Sequence, residues 1–163
     1  MSQQKIVPSL WFDTQAEEAA QYYIDVFGGG RVLSVARYPE GAPGPAGSVM
    51  SVEFEITGQR FIGINGGPQF PFTEAVSFQV DCADQAEVDR YWDRLIGDGG
   101  EESQCGWLKD RYGLSWQIVP VGMDELFADP DPARAQRAVQ AMLGMTKLDV
   151  AALRAAADEV PVG

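Results

Sequence analysis

Residues 8–28, PSLWFDTQAEEAAQYYIDVFG, and residues 77–97, SFQVDCADQAEVDRYWDRLIG, follow one plan. In each, an apolar stretch leads through an aspartate into an amphipathic segment that ends at glycine. Tyr22, Tyr23, Val26 and Phe27 match Tyr91, Trp92, Leu95 and Ile96 at a constant offset of 69, and Gly28 matches Gly97. Ala19, Tyr22, Tyr23, Val26 and Phe27 recur at helical spacing on one face, which predicts a helix over Gln15–Phe27. Asp13 and Thr14 offer it N-cap oxygens, and Gly28–Gly30 ends it. The second helix is expected over Gln85–Ile96. Two ordinary amphipathic helices could agree by coincidence. Caps, aromatics and glycines keeping register together instead indicate a duplicated module.

The strands follow outward from these helices. Lys5–Phe12 reads as the first, with Pro8 requiring an edge, a bulge or a missing ladder partner. Val32–Tyr38, the turn-rich PEGAPGPAG, Val49–Ile56, a tight turn at Thr57–Gly58 and Arg60–Asn65 complete β-α-β-β-β. The second half repeats the order with Val76–Val80, the helix, short strands around Glu102–Cys105 and Trp107–Asp110, the turn DRYG, and Leu114–Pro120. Asp81 stands after its strand as Asp13 does. From Val121 the composition changes: Asp129–Pro132 breaks the chain, and Ala133–Leu143 and Asp149–Asp158 read as alanine-rich helices. Leu148, Val150 and Leu153 there need a surface to cover, either the core or a second subunit. The expected class is α+β: residues 1–122 as one domain of two βαβββ modules (5–66 and 74–121), with a helical C-terminal extension over 123–163.

Composition removes whole classes of function. The chain of 163 residues carries 24 acidic against 12 basic side chains, a formal charge of −12, which repels nucleic acid and anionic membrane surfaces. It has no histidine, which excludes Ser-His-Asp and Cys-His nucleophiles, imidazole acid/base chemistry and histidine-ligated metals. Cys82 and Cys105 are too few for a disulfide framework or a four-thiolate site. Each reads as a small buried hydrophobe or, less simply, a nucleophile with no obvious activating cation. The opening MSQQKIVPSLWFD shows no signal-peptide pattern, and no apolar run reaches membrane-spanning length, so a cytoplasmic protein is expected.

The strings LWFDTQAEEAAQYYIDVFGG, EAVSFQVD, CGWLKDRYGLSWQIVP and AMLGMTKLDVAALRAA, in this element order, resemble the PhnB-like branch of the vicinal oxygen chelate superfamily. That superfamily includes glyoxalase I, bleomycin-resistance proteins and extradiol dioxygenases. Members of this branch often carry the label 3-demethylubiquinone-9 3-methyltransferase. The resemblance implies a curved mixed sheet around a cavity and a homodimer. It also implies metal ligands on the first and last strands of each module, which carry over to Pro8, to Gly63 or Asn65, to Ala75 or Ser77, and to Gln117. Pro8, Gly63 and Ala75 have no side-chain donor, and the amides are weak neutral ligands, so no metal or other cofactor is expected. A nucleotide-type cofactor needs glycines after a strand and before a helix. Gly28–Gly30 and Gly97–Gly100 follow helices instead, and Gly66–Gly67 leads through Pro68 and Phe70–Phe72 to another strand.

Strand alternation nominates the ligand-facing residues. Ala75, Ser77 and Gln79 alternate with Val76, Phe78 and Val80, and Ser115, Gln117 and Val119 with Leu114, Trp116 and Ile118. Period two sends one set to the helices and the other to a cavity or to solvent. The same logic places Ser51, Glu53 and Glu55, and Phe61, Gly63 and Asn65, on the open side. The candidate ligand-binding residues are therefore Glu53, Phe61, Asn65, Ser77, Gln79, Trp107 and Gln117, with Trp11 and Phe72 nearby; no catalytic residue is assigned. The leading expectation is a metal-free module that binds a small, partly aromatic molecule. An enzyme of the same fold (lyase, isomerase or dioxygenase) working through Glu53 or an atypical metal is the alternative, and a ligand-free structural dimer is the third. Glu53 and Glu55 share a strand face and read either as a carboxylate pair or as solvated sheet-edge charge.

Overall fold

The computed structural model describes residues 3–160. The chain divides into two compact units, Met1–Phe72 and Thr73–Gly163. Each contains one four-stranded mixed sheet, and the two-module α+β plan is realised with five helices in all among the described residues.

The first unit runs β1 (Ser9–Phe12), α1 (Ala16–Phe27), β2 (Gly30–Arg37), β3 (Val49–Ile56) and β4 (Gln59–Asn65). The sheet order is β1-β4-β3-β2, with β1 parallel to β4 and the other pairs antiparallel. β1 begins later than expected: Pro8 lies outside it, although its carbonyl still accepts from Ile62 N at 3.0 Å. One face packs on α1 through Leu10, Phe12, Val52, Phe54, Ile56 and Phe61, all buried. Tyr23 of α1 stacks on Phe54, which stacks on Phe61. Gly63 sits against Ala16, where an added Cβ would lie 3.2 Å from that of the alanine.

The N terminus of α1 departs from expectation. Neither Asp13 nor Thr14 caps it; Asn65 Oδ1, from the end of β4, accepts from Ala16 N at 2.8 Å. The cap is supplied by tertiary structure: Gln15, at the cap position, has φ −102° and ψ 15° rather than the extended backbone usual for a capping side chain, and it makes no cap bond of its own. The C terminus follows the reading: Gly28 is left-handed at φ 69° and its N–H reaches Ile24 O.

The second unit runs β5 (Ser77–Cys82), α2 (Gln85–Ile96), β6 (Glu101–Glu102), β7 (Trp107–Lys109) and β8 (Ser115–Pro120), then α3 (Met123–Phe127), α4 (Pro132–Leu143) and α5 (Val150–Asp158). Its sheet order is β5-β8-β7-β6, with β5 parallel to β8. α1 and α2 keep the offset of 69 from first residue to last. The strands before them do not: β5 extends to Cys82, so Asp81 lies within it and Asp84 caps α2 by accepting from Glu87 N at 2.9 Å. Phe78, Val80, Cys82, Leu108, Trp116 and Ile118 occupy the sheet face that meets Val88, Tyr91, Trp92 and Leu95 of α2.

The tail is strapped to this second unit. Cys105 N and Gly106 N donate to Met145 O and Thr146 O, both at 2.8 Å. Gln85 donates to Leu148 O at 3.0 Å and accepts from Val150 N at 2.9 Å. Leu148 and Leu153 bury against Met123, so they are covered within the chain rather than left for a second subunit. Arg134 bridges Asp129 and Asp158, and Arg137 donates twice to Ala157 O, which ties α4 to α5. The short α3 was not foreseen, and residues 161–163 of the expected extension lie outside the described residues.

Candidate functional site

The second sheet has a polar face opposite α2, built by register. Ser77 pairs with Ser115 and Ser115 with Lys109; in the next row Gln79 pairs with Gln117 and Gln117 with Trp107. Alternation in three adjacent strands thus lines up two hydroxyls and an ammonium in one row, and two amides and an indole in the other. Gln117 Nε2 donates to Ser77 Oγ at 2.9 Å, and Gln79 Nε2 donates to Asp81 Oδ1 at 2.9 Å. Lys109 pairs with Glu74, which arrives on the segment before β5. That pair, through its hydrogen bond first, holds the Glu74 carboxyl below and the Lys109 ammonium above their ordinary values. Ser115 is 1% exposed, and its Oγ has no hydrogen-bond partner among the described residues. A groove of about 160 Å³ continues this face past Gln79 and Asp81 to the turn Val119–Asp124.

Asp110 sets the geometry of these rows. Its carboxylate, 2% exposed, accepts from Tyr112 N at 2.8 Å, Leu114 N at 3.1 Å and Trp116 Nε1 at 2.9 Å. It therefore shapes the turn between β7 and β8 and anchors the strand that carries Ser115 and Gln117. The string KDRYGLSW contains its partners, but nothing in sequence spacing marks an aspartate that folds back on a tryptophan six residues later.

Four of the seven expected ligand residues, Ser77, Gln79, Trp107 and Gln117, share this face. Glu53 lies on the corresponding face of the first sheet, opposite α1, where Arg60 Nε stands 2.8 Å from its carboxylate. Phe61 and Asn65 are a correction in placement: they and Gly63 lie on the α1 side, while Ile62 and Ile64 share the open side with Glu53 and Ser51. Phe61 is 5% exposed and stacked in the core. Asn65 caps α1, donates to Val49 O at 3.1 Å and accepts from Tyr38 Oη on its backbone carbonyl at 3.1 Å. Asn65 also borders a separate cavity of about 450 Å³ with Asp13, Thr14, Glu17 and Tyr38, but both ends of its amide are engaged. Trp11 donates to Gly67 O at 2.9 Å with its ring edge-on to Phe70, and Phe72 stands edge-on to Phe12.

The donors do not fit a catalytic divalent metal. Among the described residues no group of three or more Asp, Glu or Cys is placed to hold one. Gly63 and Asn65 face α1, Pro8 lacks a donor, and the neutral amide of Gln117 and hydroxyl of Ser77 are weak ligands with no anionic donor beside them to complete a set. A nucleotide-type cofactor fares no better. The N termini of α1, α2, α4 and α5 are already occupied by side-chain oxygens of Asn65, Asp84, Asp131 and Asp149. Cys82 is buried, and loss of solvation pushes its thiol up to about 12, so it is no nucleophile.

The family model described as 3-demethylubiquinone-9 3-methyltransferase matches residues 4–119. The PhnB protein of Bacillus cereus, whose solved structure carries the same methyltransferase description, is 34% identical, with a TM-score of 0.66 over 72% of this chain and 100% of that one. Protein PA1353 of Pseudomonas aeruginosa is 21% identical with a TM-score of 0.59 over 72% of this chain and 98% of its own. The fosfomycin resistance protein FosX of Mesorhizobium loti shares the fold at 14% identity, with a TM-score of 0.55 over 78% of this chain and 99% of its own. No curated protein matches the sequence.

Proposed function

We propose, for a chain that belongs to the 3-demethylubiquinone-9 3-methyltransferase (PhnB-like) family of the vicinal oxygen chelate superfamily, a role in binding a small organic molecule without a metal ion. The observation that carries this reading is the row Gln79–Gln117–Trp107 beside Ser77 and Ser115 on the face opposite α2. Hydrogen-bonding groups stand there in line with an indole at the β7 end, a composition suited to fixing a partly aromatic ligand by orientation. Methyl transfer and metal-assisted chemistry gain no support from this donor set. Carboxylate chemistry at Glu53 is disfavoured by Arg60, which already neutralises it.

Residues 1–122 are read as one glyoxalase-like domain and 123–163 as its extension, in a cytoplasmic homodimer. With Leu148 and Leu153 covered internally, support for the dimer moves to β2. This eight-residue edge strand exposes Val32, Leu33 and Val35, with Met50 beside them. The binding role is tested by screening a library of small aromatic acids, amides and alcohols against the metal-stripped protein by ligand-observed NMR. Hits lost in Gln117→Leu, with the melting temperature unchanged or raised, support the role. Marked destabilisation with hits retained would overturn it.

A further inference from the structure

A hydroxyl without a partner stands at the centre of the row Ser77–Ser115–Lys109. Ser115 is withdrawn from solvent, and no group of the described residues bonds its Oγ. An unsatisfied buried hydroxyl is destabilising, so this one calls for a partner from outside the chain. On one side, Ser77 Oγ accepts from Gln117, which leaves its own O–H to donate. On the other, the Lys109 ammonium has only donors to offer. Two hydroxyls and an ammonium in line are complementary to an acceptor-rich anion.

A group of that chemistry is already seated at the end of the row. Glu74 places its carboxylate on Lys109 from a segment outside the sheet, and its side chain is 62% exposed against 35% for the lysine. Exposed pairs of this kind are held weakly and exchange readily. Glu101 pairs with Lys109 in the ladder from β6 and adds only a longer-range attraction. Trp107 lies in the adjacent row, one strand from Gln117, where a ring attached to the anion would rest.

We infer that Ser77, Ser115 and Lys109 form a carboxylate subsite for a planar or aromatic acid, with Glu74 as its internal and displaceable occupant. This rests on the binding role proposed above and specifies the ligand's chemistry. An incoming carboxylate keeps the lysine contact that Glu74 gives up and adds the bond that Ser115 lacks.

Benzoate and benzamide, titrated into the wild type, Glu74→Gln and Ser115→Ala while the Trp107 indole and Gln117 side-chain amide resonances are followed, test this directly. Benzoate should bind at least about tenfold more tightly than benzamide, because the charge-assisted bonds are lost in the amide. Glu74→Gln should tighten benzoate by about threefold or more, since it removes both the competitor and a like charge. Ser115→Ala should weaken benzoate by about fivefold without lowering the melting temperature. Equal affinity for acid and amide, no gain in Glu74→Gln, or no loss in Ser115→Ala would overturn the subsite. Uncharged library fragments binding this face while benzoate does not would overturn the subsite alone. No fragment shifting this face at all would overturn the binding role with it.

Discussion

Replacing Asp110 with alanine should cost more stability than any change on the polar face it supports. The carboxylate accepts from Tyr112 N at 2.8 Å, Leu114 N at 3.1 Å and Trp116 Nε1 at 2.9 Å, and the Leu114 and Trp116 donors are buried with it. A buried donor left without its partner costs about 1–3 kcal/mol. Two such donors, with Tyr112 N returned to water, put Asp110→Ala at about 2–6 kcal/mol. Asp110→Asn keeps the shape and an acceptor for the two backbone N–H groups but turns an amide N–H toward the indole N–H, so it should cost about 1–3 kcal/mol. For a protein of this size these correspond to drops in melting temperature of roughly 4–24 °C and 2–12 °C. Urea unfolding followed by circular dichroism gives both values, with an unchanged m confirming that the denatured state is not the cause. Asp110→Ala within about 1 kcal/mol of wild type, or asparagine as damaging as alanine, would refute the assigned bonding.

Gly66→Ala should destabilise the first unit and disturb Trp11, because an added Cβ would lie 2.0 Å from the indole ring; tryptophan fluorescence and the melt report both effects. Cys82, with its thiol pushed up to about 12, should resist iodoacetamide at pH 8 in the folded state while the partly exposed Cys105 reacts, giving a single adduct by mass spectrometry. Asp89 is held below the ordinary carboxylate range by Lys147, then by Gln85. Its contribution is therefore complete above the unfolded aspartate pKa and is lost as pH falls through the lower folded value. Acid titration of Lys147→Met should show a shallower loss of stability in that range than wild type. Light scattering should return a dimer that Val35→Glu converts to monomer; a wild-type monomer at high micromolar concentration would remove the dimer from the account.

α1, α2, α4 and α5 were legible because their apolar or alanine-rich spacing is dense and their ends are punctuated by glycine or aspartate; the five-residue α3 is too short to show a period. β3 was legible for a similar reason, since Val52, Phe54 and Ile56 alternate with Ser51, Glu53 and Glu55 without ambiguity. β4 was not. Phe61 competes with Ile62 and Ile64 for the buried side, and only the pairing of Phe61 with Phe54 across the ladder decides between them. The cap of α1 was illegible because its donor and acceptor are 49 residues apart. On the second module's polar face the alternation grouped Ser77, Gln79 and Gln117 correctly. Ser115 belongs to the same alternating set, but a serine among apolar residues does not announce that its hydroxyl will be left unpaired.

The most direct measurement is a two-dimensional NMR map of a library hit titrated into isotope-labelled, chelator-treated protein. Saturable shifts are expected at the side-chain amides of Gln117 and Gln79 and at the Trp107 indole, with affinity unchanged by EDTA. Shifts confined to the Asp13–Tyr38–Asn65 cavity, or binding that disappears with the chelator, would contradict it.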